Sequence, residues 1–492
     1  FFGSQIADQS VINYSYTDSP WRLLAWDTYT FFYYIWALPH ILLPIRPTDS
    51  GHLSELAPTP GNLFCILIHA ILVVLQAAFI LLLPPIAFFI PLWTTLLAVG
   101  AFMVLNKGLS ALLNGNGVIF HSEPQYASAA THRTAHHEDI NVYEHERWIF
   151  LNGVAVGSHW MQSNLNRLAL TFGRPIVGIH NRTSGILFDV IECLVQRNFG
   201  YATEDIRVCY RIMKETLYKP KYTKVVFILH SQGGIEGGLV LDWLLQELPQ
   251  NLLCKLEVYT FGNAANHFNN PYRTMGNEFK NQARPATAGM TSSMAINKNN
   301  TIDSMERNET NNSHASQSAA ALPPPALSIA PNTTTSTYSC DSHHGQERAQ
   351  RAIRHIEHYA YTTDFVALWG VLHFATIPPA THAIPRFIGR LFARSSPNGR
   401  GGHQLVQHYL DGMFPLQRDS VTGHFVGCAD DNAFMESAVS IEAKKKATVD
   451  LKGGGKSQEQ QQQDRLNSGA FEREGVVKEL SRLWKYRNGR SP

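Results

Sequence analysis

The chain lacks the residue patterns that mark two common classes of binding protein. Its six cysteines include no CxxC pair, so the sequence predicts neither a zinc site nor a dense disulfide framework. Its 41 basic and 39 acidic residues give a net charge of +2 and form no basic block that would follow a nucleic-acid backbone. We therefore expect no nucleic-acid partner. Residues 131–139 hold three histidines without an HExxH arrangement, and a solvated loop is favoured there over a metal site.

Charged residues are also absent from residues 63–105. Pro84-Pro85 divides this segment into apolar runs of 21 and 20 residues, each long enough to cross a bilayer as a helix. A soluble helix of that length needs a polar stripe, but only His69, Gln76 and a few threonines interrupt the apolar surface. We predict a helical membrane segment, either one kinked span or a hairpin. A buried helical pair in a large soluble protein is the alternative.

Residues 1–62 form an aromatic-rich region ahead of this segment. Such side chains are enriched where a bilayer meets water, although they would equally suit packing against a folded domain. We expect a membrane-associated protein with the lipid bilayer as a partner, in an orientation that the few flanking basic residues do not specify. The aromatic residues are Trp21, Trp26, Tyr29, Phe31, Phe32, Tyr33, Tyr34 and Trp36.

Short apolar runs alternate with helical stretches over residues 145–430. This alternation is typical of an α/β fold in which crossover helices cover both faces of a mostly parallel sheet. Residues 280–347 are rich in Asn, Thr, Ser, Ala and Pro, which predicts a disordered insertion, and residues 431–492 are predicted to be a low-complexity, mostly disordered tail. Strands are predicted at residues 148–151, 175–179, 224–229, 256–261 and 356–361.

A serine hydroxyl becomes a nucleophile only when a neighbouring base takes its proton and when it projects from a sharp strand-to-helix turn. Ser231 lies at such a position, between the predicted strand at 224–229 and a glycine-opened apolar helix that begins at Gly233. The segment Leu-His-Ser-Gln-Gly from Leu229 to Gly233 resembles the GxSxG nucleophile elbow of α/β-hydrolases, and is similar to that of class 3 lipases and fungal lipase-like proteins. Leu229 stands where the family has its first glycine.

The resemblance covers about residues 145–415 without the insertion. Residues 256–263, Leu-Glu-Val-Tyr-Thr-Phe-Gly-Asn, resemble the strand and turn that follow the nucleophile helix in class 3 lipases. Asp364 follows the predicted strand at 356–361, where that family has its triad acid, with Phe365 in place of a proline. Taken alone, Asp364 before an apolar helix also fits a helix N-cap. The chain order Ser, Asp, His favours the triad.

The catalytic base is expected in a loop after the last strand. His403 ends the glycine-rich loop Asn-Gly-Arg-Gly-Gly-His, 39 residues beyond Asp364. His408 is the alternative base, although its expected position on a helix suits a structural histidine better, and His424 is a weaker third candidate. In the expected mechanism His403 takes the proton of Ser231, while Asp364 holds His403 in the required tautomer.

An oxyanion hole requires two hydrogen-bond donors. Gln232, the residue after the nucleophile, is expected to supply one backbone N–H, and Val154 in the glycine-containing turn after residue 151 the other. His180 and Asn181 end another predicted strand, at the edge of the sheet where α/β proteins bind ligands. They fit a pocket wall and ordinary turn chemistry equally well.

The resemblance implies a serine esterase or lipase that acts through an acyl-enzyme and needs neither a metal nor an organic cofactor. The apolar segment makes a small acyl ester or a lipid the expected substrate. Two other functions remain open from the sequence: a catalytically inactive, membrane-tethered α/β-hydrolase-like interaction protein, and an acyltransferase that uses the same serine. Protein partners are not specified.

Overall fold

A seven-stranded sheet is the framework of the protein. Its strand order is β1-β3-β2-β4-β5-β6-β7, and only β1 runs antiparallel to its neighbour, β3. The strands are β1 (Ile119–His121), β2 (Glu146–Leu151), β3 (Ile176–Ile179), β4 (Lys224–His230), β5 (Leu256–Phe261), β6 (His355–Tyr361) and β7 (Arg390–Arg394). The computed structural model describes residues 19–45, 49–131, 143–271, 351–376, 387, 389–394, 402–440 and 474–492. Within them the expected α/β class with a mostly parallel sheet is confirmed.

Helices cover both faces of this sheet, as expected for parallel strands joined by crossovers. The α-helices before β5 are α1 (Pro20–Tyr33), α2 (Pro60–Phe89), α3 (Leu92–Asn114), α4 (Pro124–Thr131), α5 (Ser158–Phe172), α6 (Ile186–Phe199), α7 (Glu204–Tyr218), α8 (Gly233–Glu247) and α9 (Gln250–Leu253). Short α-helices occupy Phe365–Trp369, Val371–Thr376, Asp411–Met413 and Val477–Leu480, a π-helix occupies Leu405–Leu410, and 3-10 helices occupy Ile35–Ile41, Gly51–Leu53 and Leu483–Gly489. Two strand pairs complete the described structure: β8 (Leu416–Arg418) with β9 (Phe425–Cys428), and β10 (Ala438–Ser440) with β11 (Glu474–Val476).

The central strand β4 shows why the sheet forms here. Because successive side chains of a strand point to opposite faces, its run of apolar residues feeds two cores at once. Val226 and Ile228 pack in the core under α5, whereas Val225, Phe227 and Leu229 pack in the core under α7 and α8. Burial on both faces positions the end of β4, and therefore Ser231, rigidly.

All five predicted strands are present, with their ends moved by at most two residues. Of the seven-stranded sheet, the prediction missed β1 and β7, and it also missed the two strand pairs β8–β9 and β10–β11. The three residues of β1 are too few to show a period, yet their pairing with β3 means that the α/β domain begins before residue 145, which corrects its predicted boundary. In β7, Arg390 and Arg394 interrupt the apolar run at both ends.

The prediction of a mostly disordered tail over residues 431–492 is wrong at both ends of that range. Residues 431–440 and 474–492 pack on the domain, and Leu483 and Tyr486 are fully buried. Arg482 forms a 2.9 Å ion pair with Glu257 of β5, and the Tyr486 hydroxyl donates to the same carboxylate. A buried carboxylate needs such partners, so a distant segment is bound to the sheet. The predicted insertion at 280–347, and residues 441–473 of the tail, lie outside the described residues.

The apolar segment forms a helical hairpin, and its predicted division at Pro84-Pro85 is wrong. Both prolines lie inside α2, and the chain turns at Ile90, whose backbone is extended, as expected before Pro91. α2 and α3 run antiparallel, since Gln76 donates to Asn106 at 2.9 Å and the rings of Phe79 and Phe102 stack at 4.0 Å. Both helices are long and apolar enough to cross a membrane.

Candidate active site

Ser231 stands on a strained turn between β4 and α8. Its φ of +58° lies in the left-handed region that non-glycine residues rarely adopt, and such strain concentrates at functional sites. Two close approaches surround it. A Cβ on Gly153 would lie 2.3 Å from the Ser231 Cβ, and a Cβ on Gly233 would lie 2.6 Å from the carbonyl oxygen of Leu151. Glycine is therefore required at both positions for the turn to close.

Leu229 stands where the GxSxG pattern has its first glycine, and it fits there because a glycine on the facing helix leaves room for its side chain. The Leu229 side chain is fully buried, and a Cβ on Gly237 of α8 would lie only 2.4 Å from its Cδ1. The glycine that this close approach requires lies on α8 and not on β4. The substitution therefore leaves the crowded strand-to-helix approach intact.

The three residues expected to form a triad lie in one hydrogen-bonded chain. His403 Nε2 is 2.8 Å from Ser231 Oγ, and His403 Nδ1 is 3.0 Å from Asp364 Oδ2. Because an ionised carboxylate only accepts hydrogen bonds, Nδ1 carries a proton and Nε2 is left to accept the serine proton. All three side chains are buried.

Asp364 fills both roles that the sequence left open. Its Oδ1 accepts the backbone N–H of Val366 at 2.8 Å and caps the helix Phe365–Trp369, while Oδ2 accepts from His403 and, at 2.6 Å, from the Tyr409 hydroxyl. Burial alone would raise the pKa of Asp364, but the adjacent His403 and these hydrogen bonds outweigh it and lower the pKa below its usual value. The carboxylate is therefore held ionised.

His230, the residue before Ser231, holds His403 in place through two contacts. Its ring stacks on that of His403 with centroids 4.8 Å apart, and its Nε2 donates to the His403 carbonyl oxygen at 2.8 Å. Burial, reinforced by the nearby His403, lowers the pKa of His230 to about 3. A neutral His230 therefore fixes the loop that carries the base without adding a competing charge.

The two expected oxyanion donors lie on the turns that flank Ser231. Within the described residues, the backbone N–H groups of Val154 and Gln232 donate to no other group. The Gln232 side chain is clamped, since its Oε1 accepts from Asn181 at 2.9 Å and its Nε2 donates to Gln196 at 3.0 Å. Two N–H groups without internal partners are what an oxyanion hole requires.

The turn that carries Val154 is itself held from both sides. Ala155 has a φ of +63°, its N–H donates to Asp189 at 3.0 Å, and its carbonyl oxygen accepts from His69 of α2 at 2.9 Å. Burial raises the pKa of Asp189 to about 6. Neither Asp189 nor His69 could be assigned to this turn from the sequence, because both lie on other helices.

The remaining histidine candidates have structural contacts. His180 is buried and its Nε2 donates to the Val156 carbonyl oxygen at 2.9 Å. The His408 Nδ1 accepts the N–H of Gln404 at 2.9 Å, and burial lowers the His408 pKa to about 4. His424 is exposed on the turn between β8 and β9.

Asn181 is bound by its neighbours on the turns near Ser231. It is buried, and besides its bond to Gln232 it exchanges two hydrogen bonds with Asn152, of 2.8 and 2.9 Å. Asn152 occupies the turn after β2, so this pair ties the loops of two neighbouring strands together. These contacts are of the kind expected from turn chemistry at Asn181.

A separate group of carboxylates could hold a cation. One oxygen each of Glu192, Asp205 and Glu236 lies within 4.8 Å of the others, and oxygen donors suit a hard cation such as Ca²⁺. Burial raises the pKa of all three, that of Glu192 to about 7, so shared protons also relieve their repulsion. The group contributes no atom to the Ser231–His403–Asp364 chain.

Comparison with known proteins adds no relative. No family model, curated protein or solved structure matches the chain. What the site can do follows from its own geometry: a serine poised on a strained turn, a base bonded to it, an acid bonded to the base and two N–H groups beside it.

Proposed function

We propose that this chain is a membrane-attached serine hydrolase of the α/β-hydrolase type that cleaves carboxylic esters, with lipid esters as its substrate class. One observation carries the proposal: the hydrogen-bonded chain Ser231–His403–Asp364 begins at a residue held in the left-handed conformation. Ordinary packing offers no reason to retain a buried serine, histidine and aspartate in this order and geometry.

The sheet supports the α/β-hydrolase assignment. Ser231, Asp364 and His403 follow the carboxyl ends of β4, β6 and β7, and the carboxyl ends of parallel strands are where α/β folds bind ligands. The chain order Ser, Asp, His is that of α/β-hydrolases.

The reaction follows from the hydrogen bonds. His403 Nε2 takes the Ser231 proton as Oγ attacks the ester carbonyl carbon, and the N–H groups of Gln232 and Val154 stabilise the resulting oxyanion. The carbon–oxygen bond to the alcohol then breaks, and His403 gives its proton to the departing alkoxide. Water, deprotonated by His403, attacks the acyl-enzyme, and the serine regains its proton as the acid leaves.

Lipid esters are favoured because of what surrounds the domain. α2 and α3 are long and apolar enough for a membrane, and α1 exposes Trp21, Trp26 and Phe32. Large exposed aromatic residues suit the boundary between lipid and water. A hydrolase held at that boundary meets acyl chains in preference to soluble esters.

The test is covalent labelling of the detergent-purified full chain with a fluorophosphonate, which reacts only with an activated serine. We expect labelling of the unsubstituted chain and its loss in Ser231→Ala and His403→Ala. His424→Ala is the matched control, because it removes an exposed histidine away from the site, and it should label normally.

A folded chain that stays unlabelled would overturn the hydrolase and favour the inactive interaction protein. If labelling succeeds, turnover of a lipid ester with and without an added alcohol separates hydrolysis from acyl transfer, since only an acyltransferase makes the new ester as its main product.

A further inference from the structure

The base of the α2–α3 hairpin is bonded to the α/β domain through polar side chains. On α2 these residues, Asn62, His69 and Gln76, recur every seven positions and so share one face. Gln76 donates to the Ser184 carbonyl oxygen at 2.7 Å, and Asn106 of α3 donates to the same oxygen at 3.0 Å. Since these polar groups are bonded to the domain, the hairpin is anchored to it as far as Gln76 and again from Asn106.

Beyond these anchors the hairpin tip, residues 77–105, is apolar all round. In the tip only Thr95 is buried, and the exposed side chains include Leu81 at 74%, Phe88 at 82% and Trp93 at 70%. A groove on a partner protein would cover one face of such a tip. A helix that is apolar on every side needs an apolar solvent around it, which a bilayer supplies.

The length of the tip decides how far it reaches. Residues 77–89 of α2 rise about 20 Å at 1.5 Å per residue, and residues 92–105 of α3 rise about 21 Å. A bilayer core is about 30 Å thick, so the tip falls short of the far surface by about 10 Å. The whole of α2 is long enough to span a bilayer, but its first half, as far as Gln76, is hydrogen-bonded to the α/β domain.

Helix α1 exposes an aromatic face that suits the boundary between a membrane and water. Its buried Asp27 pairs with Arg197 of α6 at 2.7 Å, which turns Trp26, Tyr29 and Tyr33 outward. The same α6 contacts the hairpin, since the Leu187 N–H donates to Gln76 at 3.2 Å. α6 contacts α1 through Arg197 and the hairpin through Leu187, positions about 15 Å apart along the helix, so the aromatic face and the base of the hairpin are neighbours on the domain.

We infer that the tip, residues 77–105, inserts into one leaflet and part of the next without crossing, while the aromatic face of α1 lies in the headgroup region of the same membrane surface. The hairpin is thus a one-sided anchor, and the domain stays on the side from which it inserts. This inference rests on the membrane attachment proposed above and is independent of the chemistry of Ser231.

The experiment uses the full chain in phosphatidylcholine vesicles, with Trp93→Cys at the tip and Val421→Cys as the control. Val421 is 91% exposed on the turn between β8 and β9, so the control thiol should react with a membrane-impermeant maleimide added outside. We expect the Trp93→Cys thiol to resist that reagent both outside and when trapped inside the vesicles. A fluorophore attached there in detergent before reconstitution should be quenched by lipids brominated near the chain ends. Labelling of the unsubstituted chain sets the background.

Two outcomes would contradict the inference, and they are distinguishable. Reaction of the Trp93→Cys thiol with the trapped reagent would mean that the hairpin crosses, which overturns the inference but leaves membrane attachment standing. Failure of the chain to float with vesicles would overturn membrane attachment itself. Chemical crosslinking of the purified chain would then show, as a dimer, whether a second copy covers the tip. Neither outcome bears on fluorophosphonate labelling of Ser231.

Discussion

His69 of the apolar helix α2 donates a hydrogen bond of 2.9 Å to the carbonyl oxygen of Ala155, one residue beyond Val154. The bond joins the hairpin to the turn that carries an expected oxyanion donor. Ala155 is held in the left-handed region, and a strained turn keeps its shape only while its surroundings enforce it. The hairpin therefore does more than attach the domain, since one of its side chains helps to shape the candidate site.

Replacing His69 by alanine should lower kcat for a short soluble ester about tenfold and leave KM unchanged, because the donor turn loses orientation in the transition state. Direct loss of an oxyanion donor costs about 100-fold to 1,000-fold, and this effect is indirect. His69→Gln, whose amide can donate to the same carbonyl oxygen, should recover most of the rate. An unchanged kcat in His69→Ala would remove the positioning role.

Asp364→Asn should separate the two roles of this residue. The Asn side-chain oxygen can still cap Val366, so thermal stability should change little, but the amide cannot hold the His403 tautomer and kcat should fall by about 10⁴. Asp364→Ala also loses the cap and should be less stable than Asp364→Asn by about 1 kcal/mol. Equal stability of the two variants in thermal unfolding would contradict the cap.

Leu229 and Gly237 should behave as a coupled pair. Gly237→Ala forces a methyl group against the Leu229 side chain and should destabilise by about 1–3 kcal/mol. Leu229→Ala alone leaves a cavity and should cost about 2–5 kcal/mol. In the double variant the new methyl fills part of that cavity, so the loss should be smaller than the sum of the two. Strict additivity in denaturant unfolding would show that the two sites do not interact.

Glu55 should make stability depend on pH. It accepts the N–H groups of Val406 and Gln407, at the start of the π-helix that follows His403. Burial raises its pKa from the usual 4.5 to about 7, a difference equivalent to roughly 3 kcal/mol. Because the folded state binds this proton more tightly than the unfolded state, the contribution is complete below pH 4.5 and is lost as pH rises through 7.

The check on Glu55 is the difference in melting temperature between pH 5 and pH 8. Glu55→Gln keeps an acceptor oxygen but cannot ionise, so its melting temperature should fall less over this interval than that of the unsubstituted chain. An identical fall in both would mean that other groups cause the dependence.

Trp93→Arg should weaken vesicle binding about 100-fold, since a charge near the middle of a bilayer costs about 2.5–3.5 kcal/mol. Val421→Arg, at an exposed turn of the domain, should bind vesicles as the unsubstituted chain does. Co-flotation with phosphatidylcholine vesicles at graded lipid concentration measures both. Equal binding by the two variants would mean that the tip does not lie in the hydrocarbon region.

Much of the sheet could be predicted because strand signals are local. The residues of β4 and β5 show their buried, β-branched and aromatic character over six or seven consecutive positions. β1 could not be found this way, because three residues become a strand only when β3 lies beside them. Residues 474–492 were wrongly predicted to be disordered for a related reason. Tyr486 and Arg482 gain their partner only when the sheet brings Glu257 to them.

The sequence alone determined the α/β class, the apolar segment and the candidate nucleophile, acid and base, since these depend on neighbouring residues and on their order. Only the tertiary structure decided that His403, and neither His408 nor His424, contacts Ser231, that Gly237 accommodates Leu229, and that polar contacts bind half of the hairpin to the domain. The physical reason is distance along the chain. The deciding contacts join residues from 8 to 172 positions apart, and packing of helices on a sheet brings them together without leaving a pattern in any local stretch.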